Sequence, residues 1–462
     1  MNIRRKYRCF VCCLLVSGIC LLGFAVWHLL CSRIPDRMTV SGYGEVPELF
    51  PEPVDQWISG EVAGEKPDRK KTDATTARKS EAGDDQTQAE QVVKNGKNGA
   101  VVEAAAGEAA SDGYADGKSA GDKFYEIEYT LFGKIPLKTV QACVATPKMV
   151  YAGGTPIGMY LRTAGVLVVG TDAIHAKSGE LCCPAGAVLQ AGDYIKMADG
   201  RALETKEELI ECLGKSGGKS VQLQVERDGE LLECSVVPVL DESGAYRAGV
   251  WVRNDTQGIG TLTYVDEEGQ FGALGHGISD IDTGTILAID GGTLYDADVV
   301  SVVRGQEGAP GELAGVIHYS EGYKIGVIEE NNPNGIYGTI SGFSLLADKM
   351  DQYEVAYRQS VTTGPAQILC TIGERCEAYD VELKEVRRTG GDINKGIVLE
   401  VTDEALLAKT GGIVQGMSGS PILQNGCLVG AVTHVFVNDP TRGYGISIQD
   451  MLETAEIEDK AA

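Results

Sequence analysis

The order of apolar and polar positions divides the chain into segments of different kinds. Between Cys9 and Leu30 the sequence carries no formal charge, His28 excepted. About 20 apolar residues suffice for a helix to cross a bilayer, so a transmembrane helix is predicted over residues 9–30. Residues 1–31 are therefore interpreted as a basic cytoplasmic flank followed by a membrane anchor. The basic residues before the run are expected to stay in the cytoplasm, which would place the remaining chain on the exported side.

A cleaved secretory signal peptide is the alternative to this anchor. Its apolar core is usually about 7–15 residues long and is followed by a cleavage site of small residues. The run here is longer, and CSRIP (31–35) is a poor match to such a site. We therefore expect a single-pass membrane protein with an uncleaved anchor, although later release remains open.

The next segment has almost no large apolar residues. From about Gly60 to Lys123 the sequence consists mostly of Ala, Gly, Lys, Glu, Asp, Gln and Ser. Such a stretch cannot bury enough surface to offset the entropy lost on ordering. Residues 32–123 are therefore predicted to form a flexible acidic tether.

Apolar alternation returns at Tyr125. It predicts strands and a β-rich lead-in over residues 124–157. Residues 158–240 predict a separate small domain, and from 245 to 455 glycine turns recur between β-rich runs, which suits a barrel or a sandwich. The sequence thus predicts a mainly β protein with one N-terminal transmembrane helix.

The pattern over residues 158–240 resembles a PDZ domain. A short strand is followed by a short helix, a hairpin turn at Asp199-Gly200, a helix behind the N-cap Thr205 and a second hairpin turn at Asp228-Gly229. PDZ domains bind an extended peptide as an added strand at an exposed sheet edge. By resemblance, the first loop and strand would bind a peptide tail, the chain's own tail included. These residues are Gly165, Val166, Leu167, Val168, Val169 and Gly170. A small α+β module without a ligand is the alternative.

The net charge and the cysteine spacing indicate which classes of ligand the protein is not expected to bind. The net charge is −25 and no basic stripe follows the N-terminus, which argues against nucleic acid as a partner. The eight cysteines beyond the anchor contain no CxxC pair, so neither a zinc site nor another metal or cofactor is expected.

The segment GMSGSP (416–421) resembles the nucleophile loop of chymotrypsin-like peptidases. Gly416 would let the main chain turn so that its N–H and that of Ser418 form an oxyanion hole. Ser418 follows a glycine by two positions and precedes Gly-x-Pro, as in those peptidases, whereas Ser420 does not. Ser418 is therefore the candidate nucleophile, and Ser420 is expected to be a small residue of the turn.

A serine nucleophile needs a general base, and the chain has five histidines. His276 stands between two glycines and precedes the serine, which is the order of the chymotrypsin group. His434 lies on a predicted strand and is interpreted as a half-buried strand residue, and His318 shows no sign of a partner. His276 is therefore the candidate base.

The longer motifs point to one family. They are LFGKIPLKTV, GVLVVG, GALGHGISD, TGGIVQGMSGSPI and GAVTHVFVNDPTRGYGI. With the N-terminal anchor and a PDZ domain ahead of the peptidase, the chain from about Phe124 to Leu452 resembles the stage IV sporulation protein B (SpoIVB) peptidases. The resemblance implies His276, Asp403 and Ser418 as the catalytic triad.

Asp403 depends most on this resemblance. From the residues alone, Asp280 and Asp282 compete with it as the partner of the imidazole, because they follow His276 on the same segment. Asp403 could also be the N-cap of the short helix EALLAK.

The family implies a membrane-tethered serine endopeptidase of sporulation signalling. Such an enzyme, made in the forespore, cleaves a membrane-associated protein regulator in the space between two membranes, so that a mother-cell sigma factor becomes active. The alternative is a non-catalytic PDZ adaptor that binds peptide tails. Gly412 stands where trypsin-like members carry an acidic specificity residue, so nothing indicates cleavage after Lys or Arg.

Overall fold

The computed structural model describes residues 3–40, 46–47, 49–50, 54–63, 123–144, 147–343, 350–388 and 391–459. The described residues form four α-helices and 27 strands, which confirms the mainly β prediction. The helices are α1 Ile3–Arg33, α2 Lys206–Lys215, α3 Glu404–Thr410 and α4 Ile448–Asp459.

The strands are numbered in chain order. The first fourteen are β1 Arg37–Val40, β2 Ile58–Val62, β3 Lys123–Leu131, β4 Ile135–Val144, β5 Met149–Ala152, β6 Pro156–Thr171, β7 Ile174–His175, β8 Leu181–Cys182, β9 Tyr194–Ala198, β10 Arg201–Ala202, β11 Val221–Arg227, β12 Glu230–Val236, β13 Val239–Leu240 and β14 Tyr246–Arg247. The others are β15 Val250–Val265, β16 Gln270–Ala273, β17 Ile289–Val303, β18 Glu312–Ile317, β19 Lys324–Asn332, β20 Gly335–Ile340, β21 Gln352–Val355, β22 Gly364–Thr371, β23 Cys376–Val386, β24 Ile397–Val401, β25 Pro421–Gln424, β26 Cys427–Phe436 and β27 Asp439–Ser447.

A small sheet follows the N-terminal helix directly. Its strand order is β1-β4-β3-β2, with β1 parallel to β4. The sheet has its own apolar core, which includes Met38, Val40, Ile127 and Val140, and the last turns of α1 pack against it. The predicted tether thus begins too early: residues 34–40 and 54–63 belong to this sheet because their apolar side chains find partners on β3 and β4. Residues 64–122 of the predicted tether lie outside the described residues.

Two closed rings of six antiparallel strands form the C-terminal body. The first ring pairs β6, β15, β16, β20, β19 and β17 in that circular order. The second pairs β22, β23, β24, β27, β26 and β25. Each ring encloses a separate apolar core, and β5 and β21 pair with each other between the rings. Two such rings are the arrangement expected from the resemblance to chymotrypsin-like peptidases.

The PDZ-like unit is inserted into the first barrel. Strands β6 and β15 pair with each other both within the barrel and beyond it, where β9, β11 and β12 extend the sheet. Helix α2 covers this extension and begins with the predicted N-cap Thr205, which forms a complete capping box with Glu208. The structure therefore divides the chain differently from the sequence: residues 156–163 already belong to the barrel, and the PDZ-like sheet ends with residues 250–253 of β15.

The strand predicted to bind a peptide lies inside this sheet. Residues 166–167 pair with β9, and residues 167–171 pair with β15. Val166, Leu167 and Val168 are completely buried. Both edges are occupied at residues 167 and 168. The middle of the segment Gly165–Gly170 therefore offers no open edge for strand addition, and the prediction of a peptide-binding strand there does not fit the structure.

Candidate active site

The site lies where the two barrels meet. His276 follows β16 of the first barrel, and Ser418 lies between α3 and β25 of the second. Both line one cavity of about 560 Å³ together with His434. Every residue that lines this cavity is uncharged, the two histidines apart, and most are aliphatic or glycine.

The first barrel holds the main chain of the nucleophile loop. The Thr261 N–H of β15 donates to the Ser418 carbonyl at 3.0 Å, and the Thr261 hydroxyl donates to the Gly416 carbonyl at 2.8 Å. On the other side, the Gln415 N–H donates to Gly311 and the Leu313 N–H donates to the Gln415 carbonyl, both at 2.8 Å. The loop is therefore fixed before any substrate binds.

These bonds determine where two N–H groups point. The N–H and C=O of one planar peptide unit point in opposite directions, so the Gly416 N–H points away from Leu313, which binds the carbonyl of the same unit. The Ser418 N–H likewise points away from Ser420, whose N–H donates to the Met417 carbonyl at 3.0 Å. Within the described part of the chain, neither the Gly416 nor the Ser418 N–H donates to another main-chain group. Both remain available to a ligand oxygen.

A sharp turn brings His276 to this loop. Leu274 and Gly275 both have left-handed φ angles, +68° and +69°. Non-glycine residues adopt such angles at a cost, so the packing around Leu274 must hold it there. The turn directs the chain from β16 into the cavity.

Two side chains fix the segment that follows His276. Asn331 accepts from the Ile278 N–H at 2.7 Å and donates to the Ile278 and Leu287 carbonyls, both at 2.9 Å. Asp280 is fully buried as a side chain and forms an ion pair with Arg253 of β15, which also pairs with Asp282 at 2.7 Å. Asp280 and Asp282, the competing partners for the imidazole, are thus engaged with Arg253.

The imidazole and the serine hydroxyl each have a main-chain partner. His276 Nδ1 lies 2.9 Å from the Gly277 carbonyl oxygen, and burial lowers the pKa of His276 below its ordinary value of 6.5. The Ser418 hydroxyl donates to the Thr433 carbonyl at 2.7 Å. If Nδ1 carries the proton toward Gly277, then Nε2 is the free base nitrogen.

His434 is closer to the chemistry than the sequence suggested. It lies on β26, as predicted, but its side chain is exposed and its ring centroid lies 4.7 Å from that of His276. His318, by contrast, does not line the cavity and contacts Asp298 at 2.9 Å. Nothing in the local sequence marks His434 or Asn331, because both reach the site through strand pairing.

The structure does not bring Asp403 to His276. One carboxylate oxygen of Asp403 accepts from the Leu406 N–H at 2.9 Å as the N-cap of α3, and the other accepts from the Asp380 N–H at 3.4 Å. Asp403 does not line the cavity that holds His276 and Ser418. The helix-capping alternative therefore describes its position, because two main-chain N–H groups occupy the carboxylate.

Ser420 has the position of a turn residue. Its side chain is completely buried, and its hydroxyl lacks a hydrogen-bond partner among the described residues. No group of three or more His, Cys, Asp or Glu side chains that could hold a metal ion occurs among the described residues either.

Comparison with known proteins identifies the second half of the chain. Residues 244–452 match the family model of the SpoIVB peptidase S55. The chain is also similar to three solved structures. The PDZ domain of an SdrC-like protein from Listeria monocytogenes is 24% identical, with 19% of this chain and 86% of that chain covered and a TM-score of 0.16. The active form of the Rv3671c protease from M. tuberculosis is 15% identical, with coverages of 44% and 74% and a TM-score of 0.22. The HtrA-type protease AlgW with a decapeptide is 10% identical, with coverages of 67% and 65% and a TM-score of 0.28.

At these TM-scores the structural likenesses add no argument of their own. The family match covers both the histidine loop and the serine loop that line the cavity. Residues 244–452 thus match the SpoIVB peptidase S55 family, and the chain is a serine peptidase.

Proposed function

We propose that this protein is a membrane-tethered serine endopeptidase of sporulation signalling, with Ser418 as nucleophile and His276 as general base. The observation that carries the proposal is the shared cavity, which brings His276 of the first barrel and Ser418 of the second together. The family match supplies the reaction class.

The chemistry begins with a rotation of the serine side chain. Its hydroxyl leaves the Thr433 carbonyl, turns toward Nε2 of His276 and loses its proton to that nitrogen as the oxygen attacks the substrate carbonyl. The Gly416 and Ser418 N–H groups stabilise the negative charge that develops on the substrate oxygen. His276 then returns the proton to the leaving amine.

The third partner of the triad has two candidates. In the described arrangement, the Gly277 carbonyl holds the Nδ1 side of His276, which is the task of the aspartate in a triad. The family resemblance implies Asp403 for that task. Asp403 would have to leave the N-cap of α3 to perform it.

The lining of the cavity indicates which type of substrate side chain it accepts. Its walls include Ile259, Val414 and Val435 and contain no carboxylate, lysine or arginine side chain. A charged side chain would lose its hydration there without gaining a partner, so we propose that the substrate presents an uncharged side chain beside Ser418. The membrane-associated regulator implied by the family is the proposed source of that segment.

We further propose that the PDZ-like unit binds a peptide between α2 and residues 250–253 of β15. Within the described residues, this stretch of β15 pairs only with β6, which leaves its other edge for strand addition. Val250 and Val252 pack on the core of the PDZ-like unit, and Trp251 is 63% exposed. This site replaces the one that the sequence predicted at Gly165–Gly170.

The nucleophile can be tested with two neighbouring serines. Ser418→Ala should lower turnover of a membrane-protein fragment, and self-cleavage, by about 10⁶-fold, because removing the nucleophile of a triad has this effect. Ser420→Ala should retain activity, since the hydroxyl of Ser420 makes no contact that the reaction uses. The proposal fails if Ser420→Ala is inactive and Ser418→Ala is active.

The assignment of His276 as the general base predicts how kcat/KM depends on pH. Because burial lowers the pKa of His276, the neutral imidazole persists to lower pH, and the acidic limb of kcat/KM should have its midpoint below 6.5. His434→Asn is the matched control: the limb should stay below 6.5, because burial and not the second imidazole causes the shift. A midpoint above 6.5 in both proteins would contradict the assignment of His276.

The role of Asp403 can be separated from its cap. Asparagine caps helices about as well as aspartate, so Asp403→Asn should keep both the melting temperature and kcat/KM near those of the wild type in the described arrangement. Asp403→Ala, which removes the cap, should cost about 1 kcal/mol of unfolding free energy. A loss of kcat on the order of 10⁴ in Asp403→Asn, at unchanged stability, would instead show that this carboxylate orients the imidazole.

The peptide groove can be located by photo-crosslinking. Ile210 on α2 and Leu231 on β12 are 61% and 63% exposed, so a photoreactive residue at either position is equally accessible. A peptide bound between α2 and β15 should be crosslinked from position 210 and not from position 231. Equal crosslinking from both positions would argue against the groove.

A further inference from the structure

The hairpin between β3 and β4 lies against the apolar helix α1. The Trp27 indole N–H donates to the Pro136 carbonyl at 3.1 Å, and the Cys31 thiol donates to the Leu137 carbonyl at 3.2 Å. Beyond the end of α1, Lys138 donates to the Ile34 carbonyl at 2.7 Å. Consecutive residues of β4 thus contact successive positions along the last turns of α1. The start of β4 lies closest to the N-terminal end of the helix.

These contacts set the depth of the hairpin relative to a membrane. Residues Leu14–Arg33 of α1 are long and apolar enough to cross one, at about 1.5 Å per residue and about 30 Å in all. Trp27 lies inside this span, and it holds the Pro136 carbonyl at its own level. The hairpin tip, residues 132–135, precedes Pro136, so it lies at the level of Trp27 or deeper.

The tip has the composition of a membrane interface. Phe132 is 61% exposed, Ile135 is 48% exposed, and Trp57 from the neighbouring strand end is 49% exposed. The Trp57 and Phe132 rings lie 6.1 Å apart, and the Phe132 N–H donates to the Trp57 carbonyl at 2.6 Å. Lys134 stands between the apolar residues. Aromatic residues with a lysine beside them are enriched at the boundary between lipid and water.

We propose that Trp57 and residues 132–135 insert into the outer surface of the membrane that α1 crosses, so that the small sheet is held on the bilayer at two points. The ligand of this surface is lipid, because the same residues continue the apolar surface of the anchor and lie at its depth. The inference rests on the proposed membrane anchoring. Insertion at this second point would give the small sheet a fixed orientation relative to the bilayer.

Two phenylalanines of one strand provide the test. Phe132 follows β3 at the end near α1, and Phe124, which is 49% exposed, lies near the opposite end of the same strand. The photoreactive analogue p-benzoylphenylalanine is placed at one position or the other in the full chain, which is reconstituted in phosphatidylcholine–phosphatidylglycerol vesicles. After irradiation, lipid adducts are measured by mass spectrometry.

Lipid adducts should form at position 132, whereas the amount of adduct at position 124 should not exceed the background. Three results would overturn the proposal. They are equal lipid labelling at both positions, no lipid adduct at either position, and crosslinks from position 132 that join a second copy of the protein and no lipid. Alkaline extraction of the same vesicles tests the anchoring itself: a chain that resists extraction but gives no adduct at 132 refutes the inserted hairpin alone, and a chain that is extracted refutes the anchor.

Discussion

The proposed catalytic arrangement depends on one close main-chain contact between the barrels. Gly419, directly after Ser418, has a φ of +96°. A Cβ atom there would lie 2.1 Å from the Thr261 carbonyl oxygen and 2.6 Å from the Leu274 nitrogen. Only glycine fits this space and this conformation. The contact presses the serine loop of the second barrel against the strand and the turn that deliver His276 from the first, and so creates a cavity shared by both.

Strand β15 connects the other parts of the molecule to this contact. Its first residues complete the PDZ-like sheet, Arg253 holds the segment after His276 through Asp280, and Thr261 fixes the carbonyls of the serine loop. The PDZ-like unit, the proposed base and the proposed nucleophile are therefore attached to a single strand. The small sheet next to α1 stands apart from this strand and has its own core.

The sequence predicted what is encoded by neighbouring residues and missed what depends on distant pairing. The serine loop, the glycine-flanked histidine and the N-cap Thr205 have local signals, because turns and caps are specified within a few residues. The insertion of the PDZ-like unit into the barrel was not visible, since an apolar strand looks the same whether one edge or both are paired. For the same reason β1, only four residues long and paired with β4 about a hundred residues later, was assigned to a tether. Asn331 gave no signal at all.

The central claim is that Ser418, activated by His276, is the nucleophile of this peptidase. Mapping the site of a serine-directed phosphonate adduct tests it most directly, because such reagents trap only a hydroxyl that has both a base and an oxyanion site. Peptide mapping by mass spectrometry should place one adduct on Ser418, and the adduct should vanish in His276→Ala. An adduct on Ser420, or one on Ser418 that survives the loss of His276, would contradict the account.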